Sequence, residues 1–398
     1  MAVSPLPAGA PLCVPLRSCG RRLRQLCLFQ ARQLCLLYPR QSVVLCRRMA
    51  VEKTRFEVPQ IGRSVDLFTL RRKGGLEAKI LTLGGAVTSL LAPDRDGRLS
   101  DVVLGFDAPA DYLTNRPFFG ALIGRYGNRI ARGDLPLDGA HHVLAINDGP
   151  NHLHGGPGGF HTVVWEVGDV IDGPEPALAL RYTSRDGEEG YPGTLTVDVC
   201  YTLTAEGGAR VEYIATTDRP TVVNLTQHSY VNLAGHDAGS IADHQLRLAA
   251  SRFVVVDETA IPTGELRAVR GTPFDFLTPA AIGARIGADD EQLRFGRGYD
   301  HCYVVDNCDG SLRDIGEVVE PRSGRRMIVR TTQPGVQFYS GNFLDGIAGK
   351  QGARYGKRTG FCLETGHFPD SPHHPEFPTA RLAPGEIYRH TTEYVFTT

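Results

Sequence analysis

A surplus of charge of either sign is missing from this 398-residue chain, in which 43 Lys and Arg stand against 44 Asp and Glu. Its main body has no basic stripe that could neutralise phosphates, so nucleic acid is not an expected partner. Metal patterns are missing as well: no HExxH occurs, and Cys200, Cys302, Cys308 and Cys362 lie far apart or at spacings that match no zinc site. A reducing compartment is the simpler inference from those thiols. The glycines at 155, 156, 158 and 159 are followed by neither Lys-Ser/Thr nor an evident helix, which removes a phosphate loop. No period of about 20 to 50 residues repeats, which argues against a solenoid or propeller.

Residues 1–48 lack Asp, Glu and Lys altogether, yet carry eight Arg and five of the nine Cys. Without those eight positive charges the remainder has a net charge of about −9, ordinary for a soluble protein. The composition break falls near Met49. An acid-free, Arg-rich leader fits a mitochondrial transit peptide, although it is poor in Ser; a disordered extension and a mis-extended gene model with Met49 as the working start are the other readings. Its apolar runs are too short to span a bilayer, and no membrane partner is expected. The expected organisation is a disordered or processed leader, 1–48, and one catalytic domain, 49–398. The expected location is the cytoplasm, or the mitochondrion if the leader is a transit peptide.

What the chain does have is Gly (46) and Pro (26) punctuating short β-prone runs, with few long helical patterns. Strands are expected at 64–71, 76–83, 87–92, 101–106, 162–167, 177–182, 194–203, 210–216, 244–249 and 252–256. Later ones cover 301–305, 326–331, 337–340, 361–365 and 386–396. A turn at Lys73-Gly74-Gly75 joins the first two; 108–112 is a short helix or turn, and 279–286 is the best helix candidate. The chain is therefore expected to be mostly β, a large antiparallel β-sandwich.

One stretch, 221–233, stands out. As a strand it would turn Val223, Leu225, Val231 and Leu233 to the core, and Asn224, Thr226, His228, Tyr230 and Asn232 to the opposite face. A polar and aromatic row with an apolar back suits a pocket for a small, hydroxyl-rich ligand. His228 at its centre titrates near neutrality and can supply and recover a proton at an ether oxygen.

Other clusters carry polar groups at strand and loop junctions. Asn128 and Arg129, in Gly124-Arg-Tyr-Gly-Asn-Arg-Ile130, are either part of a solvated turn or donors to ligand hydroxyls, for which the guanidinium fork is suited. His152 and His154 would share a strand face at a metal-compatible spacing. Glycines follow where a carboxylate ligand would be needed, so one imidazole against a glycine-rich wall is expected, without metal. Asp300 begins a strand after a glycine-rich loop, and Gln337 and Tyr339 share a face; each reads equally well as a binding residue or a plain junction. Glu364 interrupts the apolar run Phe361-Cys-Leu-Glu-Thr365. It is either a paired structural carboxylate or a buried base of raised pKa.

Taken in order, 124–130, 151–156, His228-Ser-Tyr-Val-Asn-Leu, 298–301, 333–343 and 361–365 resemble the motifs of the aldose 1-epimerase (galactose mutarotase) family, over essentially all of 57–398. The resemblance implies a mutarotase-like supersandwich that interconverts the anomers of free aldohexoses such as galactose and glucose. It implies that Glu364 takes the C1 hydroxyl proton, that His228 protonates the ring oxygen and that His154 assists there or holds the substrate. It further implies that Asn128, Arg129, Asp300 and Gln337 grip the other hydroxyls, with no metal or organic cofactor. A monomer or weak dimer with a monosaccharide as its partner is expected. Three positions depart from the common family pattern: Gln227 for Asn, Val231 for an aromatic residue and Gly366 for Gln. The first two should repack the core side. Gly366 should loosen the support of Glu364 or widen the pocket.

Three other functions compete. A glycoside hydrolase would cast Glu364 and Asp300 as its two carboxylates, but no aromatic-rich polysaccharide cleft is apparent. A non-catalytic sugar-binding protein would not need both His228 and Glu364. A hexose-6-phosphate epimerase would call for an additional Arg/Lys pair at the site.

Overall fold

The computed structural model describes residues 50–398, and the leader expected at 1–48 lies outside them. Three antiparallel sheets dominate. The first is a meander of five strands in chain order, Val51–Val58, Arg63–Arg71, Glu77–Leu81, Ala86–Pro93 and Leu99–Asp101. The second has nine strands, running from Glu166–Ile171 through Ala177–Ser184, Leu195–Leu203 and Gly208–Thr217 to Tyr388–Thr397, then Arg326–Thr331, Arg313–Val319, Gln245–Leu248 and Ala280–Ala281. The third has five, in the order Pro262–Ala268, Arg252–Val256, Asp300–Val304, Gly335–Tyr339 and Cys362–Gly366.

Alternation explains how the sheets stack. Leu195, Val197, Val199, Tyr201 and Leu203 are buried while their neighbours along the strand are half-exposed, the signature of a sheet with one wet face. In the third sheet Tyr303, Phe338 and Leu363 face one way, into a core cluster that also holds Phe68 and Leu70 of the first sheet and Leu178 and Val197 of the second. The other face of the third sheet, carrying Asp300, Gln337 and Glu364, looks towards the site.

The expected turn at Lys73 to Gly75 forms, closed by Arg72 N–H donating to the Leu76 carbonyl at 2.9 Å. Several expectations need correction. The segment 279–286 is not an α-helix: Ala280–Ala281 pairs with Gln245 and Leu246, followed by one 3-10 turn, Ile282–Ala284. Close approach of Gly283 to Ala242 accompanies that pairing, since a Cβ there would come within 2.8 Å of the Ala242 methyl. The α-helix among the described residues is Glu291–Gly296, started by the Asp290 side chain accepting from Gln292 and Leu293 N–H. The strand expected at 101–106 ends at Asp101, and that expected at 162–167 begins only at Glu166. Strands at Asp134–Leu137, Ala140–Val143, Pro262–Ala268 and Arg313–Val319 were not anticipated.

The stretch 221–233 is not one strand either. Thr221–Val222 pairs with Arg381–Leu382, Asn224 bridges Tyr126, Thr226–His228 pairs with Ala121–Ile123, and Val231 bridges Val103 and Phe361. Four successive pairings in the eleven residues 221–231 bury both faces and break the regular ladder. The expected core positions hold: Val223, Leu225, Val231 and Leu233 are all in the main core cluster.

Candidate active site

A cavity of ≈ 310 Å³ opens beside the third sheet, and its wall includes Asn128, Arg129, His154, His228, Asp300 and Glu364. That volume suits a small ligand. A separate space of ≈ 40 Å³ lies among apolar core residues such as Leu70, Val87 and Val211 and is too small for a sugar. Gln227 and Val231 line it, as their predicted core-side placement requires.

The third sheet sets the acidic side of the site by register. Asp300 pairs with Tyr339, Cys302 with Gln337, and Gln337 with Glu364, so these groups fall in adjacent rows on one face. Glu364 is 7% exposed, and burial, followed by the nearby Asp300 charge, raises its pKa well above the carboxylate range, with Arg129 opposing. Burial likewise raises Asp300. Gln337 is not on the wall of the main cavity. Its amide donates to Asp300 Oδ1 at 2.7 Å, so it holds an acid where a direct grip on a ligand was expected.

His228 comes from the short strand Thr226–His228 opposite Ala121. Its Nε2 lies 3.5 Å from Glu364 Oε1, and its Nδ1 lies 3.6 Å from the Cys362 thiol. Burial lowers its pKa to about 4. Burial thus disfavours the charged form of each, favouring a protonated carboxyl and a neutral imidazole.

Loops form the opposite side. Phe118, Asn128 and His154 all have positive φ, at 63°, 65° and 52°. Such a backbone costs a non-glycine residue about 1–2 kcal/mol, least for Asn, and persists where surroundings impose it. Those surroundings are visible. Asn128 N–H donates to His154 Nδ1 at 3.1 Å, and Asp370 brackets the next residues, donating to the Arg129 carbonyl and accepting from Ala131 N–H, both at 2.9 Å. The Arg129 guanidinium is oriented by Asp148 at 2.8 Å. Because Nδ1 of His154 accepts, the proton of its neutral ring sits on Nε2, making that nitrogen a donor.

His152 and His154, expected on one face, separate. His152 is fully buried between the Ala145 carbonyl at 2.7 Å and the Tyr191 hydroxyl at 2.6 Å, a structural role. The glycines that follow serve the protein's own packing, since a Cβ at Gly155 would overlap the Gly124 carbonyl. Arg125 is not a solvated turn residue: it is 2% exposed and donates to Ser184 Oγ and four backbone carbonyls.

His154, His228 and Glu364 each offer a ligand atom within 4.8 Å of the others, a spacing that a metal ion could use. The donor set argues against that use of His154, whose Nδ1 is already occupied and whose Nε2 carries the proton. Gly366 does not loosen the base. The space a side chain would need is filled by Asn224, whose Oδ1 would lie 2.7 Å from a Cβ there and accepts from His367 N–H at 2.8 Å.

Sequence reasoning missed Arg116, Phe118, Asp148 and Phe343, all on the cavity wall. Phe118 packs against the rings of His154, His161 and His228 at 4.8, 4.8 and 5.8 Å. No periodicity marks these positions, because they sit on irregular chain.

The family model described as Aldose 1-epimerase matches residues 66–395. The chain belongs to the aldose 1-epimerase family. Among its relatives, galactose mutarotase of Bos taurus is 46% identical over 342 residues, covering 85% of this chain and 96% of that protein. Aldose 1-epimerase of Escherichia coli K12 is 36% identical over 337 residues, covering 84% and 96%. Of solved structures, an aldose epimerase homologue from C. elegans superposes with a TM-score of 0.76 at 32% identity, covering 83% of this chain and 98% of that one. A galactose 1-epimerase from Lactobacillus acidophilus gives 0.77 at 26%, covering 88% and 99%. This epimerase fold is therefore the sandwich expected from the strand pattern, and family membership makes the protein a sugar-processing isomerase.

Proposed function

We propose that the protein interconverts the α and β anomers of free aldohexoses, galactose and glucose among them. The observation that carries this reading is the Glu364–His228 pair, 3.5 Å apart on the wall of a sugar-sized cavity. Glu364 removes the proton of the C1 hydroxyl while His228 protonates the ring oxygen. The bond from C1 to the ring oxygen then breaks and leaves the open-chain aldehyde. After rotation about the bond from C1 to C2, the ring hydroxyl attacks the other carbonyl face, its proton returns to His228, and Glu364 gives its proton to the new C1 oxygen. No atom is gained or lost.

Burial favours neutral Glu364 and neutral His228, which is the protonation state of the open-chain intermediate. Ring opening starts from carboxylate and imidazolium, the same proton placed on the other partner. A bound sugar touching both groups shifts that proton, and Arg129 favours the carboxylate. In this reading the Nε2–H of His154 donates to the ring oxygen or an adjacent hydroxyl. Asn128, Arg129 and Asp300 hold the remaining hydroxyls, and Gln337 acts through Asp300. Arg116 and Arg129 are the two guanidinium groups on the wall, and the second is already paired with Asp148, so a phosphorylated sugar is the poorer fit.

The test is anomer exchange of galactose, glucose and glucose 6-phosphate, followed by saturation-transfer NMR. Fast exchange of the two free hexoses without added metal is expected; a preference for the phosphorylated sugar would overturn the substrate assignment. The reading places the enzyme in the cytoplasm, and a mass measurement of the endogenous N-terminus separates this from mitochondrial import by residues 1–48.

A further inference from the structure

Behind Glu364 lies a second cavity of ≈ 20 Å³, lined among others by Asn224, Thr226, Gln337, Glu364 and Gly366. That is room for one water molecule. Two polar atoms of its lining residues, Thr226 Oγ1 and Gln337 Oε1, are buried without a hydrogen-bond partner in the protein. Their residues are 5% and 8% exposed, and buried polar atoms in native proteins are rarely left unpaired. Neighbouring groups cannot serve them. The Gln337 amide is committed to Asp300, and Asn224 is spent on Gly127 O, His367 O and His367 N–H.

Glu364, like Asn128, lines both this cavity and the main one, and so forms part of the partition between them. Among the described residues, His228 is the group that lies against its carboxylate. A sugar hydroxyl entering from the main cavity competes for that contact, which would leave the base held by its strand alone.

We propose that the small cavity is a dedicated water site, in which one water accepts from Thr226 Oγ1–H and donates to Gln337 Oε1 and to Glu364. Thr226 is then a positioning residue for the base, acting through that water. Three polar partners satisfy the water, and the arrangement pairs both orphaned atoms. A donor on the rear of the carboxylate fixes its rotamer and stabilises the charged form that must accept the C1 proton. The role in turnover rests on the proposed epimerase mechanism; the water site itself does not.

The experiment compares wild type, Thr226→Val, which keeps the shape but not the hydroxyl, and Thr226→Ser, which keeps the hydroxyl. Crystals of wild type should show water density within hydrogen-bond distance of Thr226, Gln337 and Glu364. In Thr226→Val, loss of the donor raises the proton affinity of the carboxylate. The acid limb of kcat/KM for galactose should therefore move up by about one pH unit, a tenfold loss of activity on that limb, with KM unchanged above it. Thr226→Ser should follow wild type. A Thr226→Val profile that superimposes on wild type, or a wild-type crystal without that density, would overturn the proposal. The density is read without turnover, so it decides the site even if Thr226→Val does not fold. Unimpaired exchange by Glu364→Gln would instead remove Glu364 as the base, and this role of Thr226 with it.

Discussion

The two sides of the cavity are built by different means. Asp300 and Glu364 project from paired strands of one sheet, where register fixes their spacing. Asn128, Arg129 and His154 are held by irregular chain, two of them at positive φ, and locked by side chains such as Asp370 and Asp148. The sheet side perturbs proton affinity through burial, and the loop side offers donors whose tautomer or direction is set by a neighbour. In the proposed mechanism the proton chemistry falls on or beside the rigid element, and substrate shape is left largely to loops.

Substitutions should divide along the same line. The largest effect is expected from Glu364→Gln, which should lower anomer exchange about a thousandfold or more while saturation-transfer NMR still detects galactose binding. His228→Asn should cost about a hundredfold in kcat, since an amide cannot carry the proton. The pH dependence of kcat/KM should be bell-shaped. Activity falls in acid as a second proton reaches the Glu364–His228 pair, and in alkali as the last one leaves; either single variant should lose one limb. On the loop side Arg129→Met should act mainly on KM, raising it about tenfold to a hundredfold as charge-assisted hydrogen bonds to the sugar are lost. Gly366→Ala should be the mildest for activity. It should nevertheless destabilise by about 1–3 kcal/mol in urea unfolding, because its Cβ meets Asn224. A KM effect at Glu364 larger than its kcat effect would break the division; in Arg129→Met the acid limb should move up, since that guanidinium favours the Glu364 carboxylate, and a KM change smaller than this shift would blur it.

The same contrast explains what could be read from residues alone. Glu364 was legible as a candidate because one carboxylate interrupts an apolar run on a strand, although the residues alone left a paired structural role equally open. His228 was legible from alternation, although the strand that suggested it proved to be a series of short pairings. Phe118 and Asp148 were not legible, since no period or propensity marks a loop residue whose position depends on chain distant in sequence. The exchange of partners along 221–233 was hidden for the same reason: local pattern predicts a strand but not which neighbours it will have. The helix at Glu291–Gly296 had its capping Asp290 in plain view, but is shorter than the windows in which helical periodicity shows.

One strand described above has a bearing on biosynthesis. Tyr388–Thr397, last in the order, lies at the middle of the nine-stranded sheet, between Gly208–Thr217 and Arg326–Thr331. It also reaches the site: the Tyr394 hydroxyl donates to the Leu363 carbonyl at 2.9 Å, and Thr392 and Thr365 share a hydrogen bond at 2.5 Å, on either side of Glu364. A nascent chain therefore cannot join the two halves of that sheet, or fasten the strand bearing Glu364, until this segment has left the ribosome. Competence for catalysis waits on this segment, so chains truncated before it are expected to be inactive.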